Sequence, residues 1–207
     1  MNNSTQWLKW AQQLQALSQN GLAYCKNPFD IERFQAIRDI AAEITSSHSE
    51  TDYATVKNLF DAEAGYATPK IDVRGVVFQD NKVLLVKEMI DGGWTFPGGW
   101  VDINESPSEA VEREVWEESG YEVRAVKLLG LYDRNKHGHP AYFFHVYKLF
   151  FLCDLIGGEG KTSLETGGAQ FYSKENLPPL STARTTQEEI FRFFEHLSHP
   201  EWPTDFD

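Results

Sequence analysis

The hydrophobic repeat of this chain changes character once, and the change divides the protein. Through about residue 64, apolar side chains return every three or four positions, the spacing of one face of a helix. Trp7, Trp10, Ala11, Leu14 and Leu17 form one stripe, Phe34, Ile37, Ile40, Ala41 and Ile44 a second, and Tyr53, Val56, Leu59 and Phe60 a shorter third. Gly21 is read as the stop of the first helix, and Asp30, with Phe29 before it, as the N-cap of the second. The Ser/His run Thr45–Ser49 reads as a loop, and the third helix ends near Gly65. Pro69 then disfavours helix at Thr68, and the period becomes that of strands.

Val73–Phe78 and Val83–Val86 flank Asp80-Asn81 as a β-hairpin, and Trp94–Phe96, Val123–Tyr132, Tyr142–Leu155 and Ala169–Ser173 are further strands. Gly157–Lys161 reads as a turn. Ser106–Ser119 and Thr185–Leu197 are helices, the second presenting Ile190, Phe191, Phe194 and Leu197 to a core. Strands and helices mix without a regular βαβ repeat, which predicts an α+β fold with a mixed sheet. The expected division is a small all-α domain at 1–66 and a larger domain at 67–207. Three short helices are marginal alone, so the first domain is expected to dock on the rest of the protein or on a second subunit, as a homodimer.

Charge narrows the possible partners. Against 31 Asp and Glu the chain of 207 residues sets 19 Lys and Arg, a net of −12. Such a chain does not attract phosphate, so DNA and anionic membrane surfaces are poor partners. Residues 1–66 carry eight acids and five bases, a net of −3 that argues against a DNA-binding module there. Half of the excess lies within residues 99–121, where seven acids face a single base, Arg113. Cys25 and Cys153 stand far apart with no CxxC, so no disulfide framework is implied. No basic segment followed by an apolar run marks a signal peptide, and the apolar stretch Ala141–Leu152, broken by His145 and Lys148, is too short to span a bilayer. A cytoplasmic setting is expected.

The acidic stretch has an unusual build. The strand at Trp94–Phe96 runs into Pro97-Gly98-Gly99, where two glycines permit a sharp turn and leave carbonyls open to a ligand. Ser106 as N-cap, Pro107 behind it and Glu109 three residues on over-determine a helix start, and Gly120 supplies the stop. Glu114, Glu117 and Glu118 stand at i, i+3 and i+4, so their carboxylates project together and repel one another. A hard divalent cation such as Mg²⁺, held by a few carboxylates and substrate phosphates, removes that conflict. The alternative is a solvated acidic helix face. Against it stand the preceding Gly-Gly, the acidic loop, and the lack of a simple apolar stripe on the helix.

Gly99, Glu105, Arg113-Glu114-Val115, Glu117-Glu118 and Gly120-Tyr121 stand at the offsets G-x5-E-x7-R-E-U-x-E-E-x-G-U. This resembles the signature box of the Nudix hydrolases, with Tyr121 where an aliphatic residue is usual. The resemblance spans roughly residues 69–200 and implies an α/β/α sandwich around a mixed sheet. It implies Glu114, Glu117 and Glu118 as metal ligands with the Gly99 carbonyl, and Glu105 and Arg113 as residues that order the box. It implies Mg²⁺- or Mn²⁺-dependent hydrolysis of a nucleoside diphosphate linked to another group, with water attacking phosphorus. A box glutamate, or Glu165 on a later loop, would accept the water proton.

The N-terminal segment, with Trp7-Leu-Lys-Trp10, Gly21-Leu-Ala-Tyr24 and Phe29-Asp-Ile-Glu-Arg33, resembles a bacterial Nudix subgroup with a helical N-terminal domain commonly involved in dimer formation. That subgroup implies CDP-choline as the first substrate to consider and ADP-ribose as the second; ligand-sensing and RNA-end processing are the rival roles. Candidate substrate contacts are Arg74 to a phosphate, His137 and His139 to a phosphate or nucleotide edge, and Trp94 by stacking on a base. The plainer readings are a surface strand arginine, a polar loop and packing against the sheet. Tyr142, Phe143, Phe144 and Tyr147 read as core strand residues, as do Trp7 and Trp10 for the helices.

Overall fold

A computed structural model describes residues 6–162 and 166–207, and the chain folds as two compact units. One runs to Pro69 and takes in Ala141–His145; the other comprises Lys70–Pro140 and Val146–Asp207.

The first unit holds α1 (Gln6–Tyr24), α2 (Pro28–Ser47) and α3 (Tyr53–Ala62). The helices are where the periodicity puts them, but the faces and ends differ. Gly21 does not end α1; it lies inside the helix, where an added Cβ would overlap the Phe34 ring of α2. Asn27, not Asp30, caps α2: its side chain accepts from Phe29 N, Pro28 follows at the first helical position, and Asp30 falls in the first turn. The helix then continues through Thr45 to Ser47, into the expected loop. The buried side of α1 is Leu8, Ala11, Gln15, Ser18 and Gln19. Their donors reach backbone carbonyls, Ser18 Oγ donating to Phe34 O at 2.6 Å and Gln15 Nε2 to Phe60 O at 3.4 Å, while Gln15 Oε1 is buried without a hydrogen-bond partner. Trp10 and Leu17 are therefore exposed rather than core, and Trp7 stacks on His48. The unit's core is Ala41, Ala42, Val56 and Phe60, with Leu14 and Phe143 against it.

In the second unit β1 (Lys70–Gln79) and β2 (Lys82–Glu88) form the hairpin, turning at Asp80 and Asn81, both with positive φ. After β3 (Trp94–Thr95) come α4 (Pro107–Ser119), β4 (Tyr121–Asp133), a single 3₁₀ turn at Arg134–Lys136, β5 (Val146–Gly158), β6 (Thr166–Ser173), α5 (Gln187–Ser198) and β7 (Asp205–Phe206). The sheet order is β3-β2-β1-β5-β4-β7, with β6 on β2. β1 pairs parallel to β5, while β4 pairs antiparallel to β5, so the sheet is mixed. The strand expected from Tyr142 begins at Val146: Tyr142–Phe144 belong to the first unit, where Gln12 Nε2 donates to the Tyr142 carbonyl at 3.1 Å. Gly157 and Gly158, expected in a turn, close β5.

Alternation along the strands feeds two cores. Val73, Val77, Leu84, Val123 and Cys153 pack with Ala110, Val111 and Val115 of α4. Val76, Val83, Leu85, Phe96, Leu129 and Phe150 pack with Ile190, Phe193 and Phe194 of α5. The result is a helix on each face of a mixed sheet, an α/β/α sandwich. Phe193, absent from the predicted face of α5, is fully buried, whereas Leu197 lies at the exposed edge. The helix start is a second capping box, Thr186 with Glu189.

Candidate active site

The Pro97–Val101 segment runs beside β1, with Gly75 N donating to Pro97 O and Val73 N to Gly99 O, both at 2.8 Å. Gly98 has φ of 143°, and a Cβ there would overlap the Val73 carbonyl oxygen, so only glycine fits. Both halves of the Ser106–Glu109 capping box form, and Gly120 ends α4 in the left-handed conformation. The helix does carry an apolar stripe: Ala110, Val111 and Val115 are buried, and Glu118 extends the same side. The acidic run is thus not a solvated face throughout.

The three glutamates differ in setting. Glu118 is buried, and its Oε2 accepts from Gly98 N at 2.9 Å. Loss of water raises its carboxyl to about 7, against the opposing pull of Arg74 and the Gly98 N–H. Glu114 lies against the loop backbone, where a Cβ on Gly99 would come 2.9 Å from its Oε2. Burial raises its carboxyl as well, with Arg113 working against the shift. Glu117 is half exposed. Arg113 ties the box together: Nε and Nη2 donate to the two Glu105 oxygens at 2.8 Å, and Nη1 donates to Glu114 at 2.8 Å and Glu117 at 3.0 Å. The bonds to Glu105, first, hold Arg113 protonated well beyond its ordinary range.

One buried and one partly buried carboxylate, both pushed upward by desolvation beside a carbonyl-bearing glycine loop, are an oxygen donor set suited to a hard cation. Among the described residues no three His, Cys, Asp or Glu side chains form a ready metal cage. Mg²⁺ in particular is usually held by one or two carboxylates, with waters and substrate phosphates completing its sphere. The residues present fit such a partial site.

The other predicted contacts are placed as follows. Arg74 is not a surface residue: it is buried, bidentate to Asp72 at 2.8 Å for both bonds, and donates to Phe96 O at 3.1 Å. Burial opposes its charge, but Asp72 more than offsets this and holds it protonated. Trp94 packs edge-on against Tyr172 with ring centroids 5.0 Å apart. His137 stacks on Tyr132 and meets Asp207 at 3.0 Å. His139 is fully covered, with Nδ1 on Thr182 O at 2.9 Å and Nε2 on Glu189 at 2.8 Å. Both of its ring nitrogens are engaged within the protein, and it offers a ligand no edge. Glu165 lies outside the described residues.

Sequence reasoning missed a second charged group beside the box. Glu88, buried at the end of β2, faces Arg184 Nε at 2.9 Å, and its charge bears on both Glu118 and Arg74. Lys148 is buried opposite Asp72 on β5 and lies 3.8 Å from Glu189. Its signal was present in the sequence: a lysine inside an apolar strand needs a buried acceptor. Two surface depressions, about 750 and 540 Å³, lie beside the hairpin turn and along the segment leading into α5, and neither includes a box residue. No helix among the described residues is long and apolar enough to cross a membrane.

Comparison with known proteins agrees with this fold. Residues 68–194 match the NUDIX domain family model, and residues 5–60 match one described as a UDP-X-like, N-terminal oligomerisation domain. A Bacillus subtilis (strain 168) protein named "Putative ADP-ribose pyrophosphatase YjhB" is 42% identical over 203 residues, 98% of each chain. Among solved structures, an ADP-ribose pyrophosphatase from Streptococcus suis 89-1591 is 40% identical with a TM-score of 0.62, covering 68% of this chain and all of that one. A UDP-X diphosphatase is 29% identical with a TM-score of 0.63 over 99% of both chains.

Proposed function

The chain belongs to the Nudix hydrolase family, as a pyrophosphohydrolase, and from that premise we propose that it cleaves a nucleoside diphosphate linked to a small group, with ADP-ribose as the first substrate to consider. The observation that carries the choice is the end-to-end similarity to a relative named for ADP-ribose. CDP-choline, favoured by the sequence alone, becomes the second candidate. The UDP-X diphosphatase keeps uridine conjugates in view.

We assign Glu114, Glu117, Glu118 and the Gly99 carbonyl to hold Mg²⁺ or Mn²⁺. When bound, the ion neutralises the diphosphate and lowers the pKa of the attacking water. Arg113, clamped on Glu105, bridges Glu114 and Glu117 through Nη1 and orients both carboxylates. The Gly98 N–H fixes the Glu118 carboxylate. A box glutamate or Glu165 takes the proton of the attacking water. The anhydride opens between the two phosphorus atoms, giving AMP and ribose 5-phosphate from ADP-ribose.

The first unit supports a homodimer. Trp10, Leu17 and Tyr24 recur at seven-residue spacing on α1 and are exposed, as are Phe29 and Ile40 of α2. That apolar surface belongs to the segment matching an oligomerisation domain.

The test is a panel of ADP-ribose, CDP-choline, a UDP-sugar and 5′-triphosphorylated RNA, each with Mg²⁺ or Mn²⁺ and with EDTA. Metal-dependent release of AMP from ADP-ribose at the highest kcat/KM is the expected result. Preference for the RNA end would instead favour a processing role. Ligand binding without turnover, unchanged in Glu117→Gln, would favour a sensor.

A further inference from the structure

We propose that Arg184 is the cation that receives the substrate's diphosphate, held ready by a loop whose carbonyls are fixed by three buried basic side chains. The inference rests on the reading above, that the box hydrolyses a nucleoside diphosphate conjugate.

An acidic site that binds an anion needs positive charge that is not already spent. Arg113 gives its donors to Glu105, Glu114 and Glu117. Arg74 is buried and committed to Asp72 and Phe96 O. Arg184 is tied less completely. Its Nε stands 2.9 Å from Glu88, its Nη1 is 3.3 Å from Ser181 Oγ and 3.9 Å from Asp91, and 27% of its side chain remains exposed. Its neighbourhood is that of the box: Glu88 pairs in register with Thr166, whose hydroxyl donates to the Glu118 carbonyl at 2.6 Å.

The backbone beneath Arg184 is fixed to an unusual degree. His139 Nδ1 donates to Thr182 O at 2.9 Å, Arg134 Nη2 to Ala183 O at 3.0 Å, and Lys148 Nζ to Arg184 O. Because a carbonyl only accepts, the proton in the first of these bonds lies on Nδ1. Three successive carbonyls are thus held by three basic residues, each with a buried or fully covered side chain. Ser181 N bonds to Trp94 O at 2.9 Å, and the hydroxyls of Thr185 and Thr95 meet at 2.7 Å, which ties the same loop to β3. Packing alone rarely asks for buried charge. A loop fixed this way gives the partly exposed guanidinium a defined origin, from which it can exchange Glu88 for a phosphate. His139, expected from sequence to touch substrate, acts through this loop as a positioning residue.

The test compares wild type, Arg184→Ala, Arg184→Lys, Glu88→Gln and the double variant Glu88→Gln/Arg184→Ala. Binding of ADP with Mg²⁺ is measured by calorimetry, alongside the kinetics of ADP-ribose hydrolysis. A charge-assisted bond to phosphate predicts ADP affinity roughly ten- to a hundredfold weaker in Arg184→Ala, with KM rising more than kcat falls. Arg184→Lys should recover part of the affinity. If Arg184 only neutralises Glu88, the double variant regains wild-type affinity; the proposal requires it to stay weak. Unchanged ADP affinity in folded Arg184→Ala, or recovery in the double variant, overturns the proposal. Failure of wild type to hydrolyse any conjugate overturns the functional reading instead, and ADP binding still decides the role of Arg184.

Discussion

Glu118→Gln should separate the stability of this protein from its catalysis. Burial raises the Glu118 carboxyl from 4.5 to about 7. A native value above the unfolded one means that the folded state holds the proton more tightly. The stabilisation from this group is therefore full below about 4.5 and is lost as pH rises through about 7. At 1.36 kcal/mol per unit, the shift corresponds to about 3 kcal/mol in the metal-free protein. Glutamine keeps the shape and can still accept from Gly98 N, but it carries no charge to desolvate.

In EDTA at pH 8 the variant should therefore be more stable than wild type by about 1–3 kcal/mol, and at pH 5 the difference should fall below about 1 kcal/mol. Urea unfolding followed by tryptophan fluorescence at the two pH values measures this. Added Mn²⁺ should narrow the gap at pH 8, since a bound cation relieves the same carboxylate. Hydrolysis should fall ~10²-fold or more. A variant less stable than wild type at pH 8, or a gap equal at both pH values, would refute the claim that Glu118 is held as a desolvated carboxylate.

Other consequences are equally direct. Gly98→Ala sets a Cβ against the Val73 carbonyl at positive φ and should cost about 3 kcal/mol or more, seen as a lower urea midpoint together with lost activity. Asp205 receives Arg192 at 2.6 and 2.9 Å and His196 at 2.9 Å. Those partners, Arg192 first, hold its carboxyl well below the ordinary value. The resulting stability is present above pH 4 or so and is lost on further acidification. Asp205→Ala should lower stability at neutral pH by about 2 kcal/mol, a difference that narrows in acid. Leu17→Glu with Trp10→Glu should convert a dimer to a monomer in light scattering while leaving the helices intact by circular dichroism; an unchanged mass would remove this face as the interface.

Local chemistry was legible wherever one segment decides its own structure. Ser106, Pro107, Glu109 and Gly120 specify α4 within fourteen or so residues, and each does in the fold what its residue type favours. The spacing of Glu105, Arg113, Glu114 and Glu117 was legible for the same reason, and the fold brings these side chains together on Arg113. What one segment cannot show is which side of a helix its neighbours will cover. The buried face of α1 runs through Gln15, Ser18 and Gln19 because carbonyls of α2 and of the α3 region meet those polar groups. The apolar stripe of Trp10 and Leu17 is left outside. Arg74 and His139 looked like ligand contacts because they are polar residues in a strand and a loop. Only the register of Asp72 opposite Lys148, and the approach of Glu189, shows them turned inward. Arg184 and Glu88 are 96 residues apart in sequence and carry no motif, so their pairing needed the fold.

With a divalent cation in the proposed site, the acidic box would bind phosphate through that metal. The most direct measurement is hydrolysis of ADP-ribose by the full chain, read by ³¹P NMR, with Mg²⁺ or Mn²⁺ and again with excess EDTA. With metal present the diphosphate signals should convert to those of two monophosphates, AMP and ribose 5-phosphate, and in EDTA they should not. Equal cleavage in EDTA, or intact diphosphate for every conjugate with metal present, would contradict it.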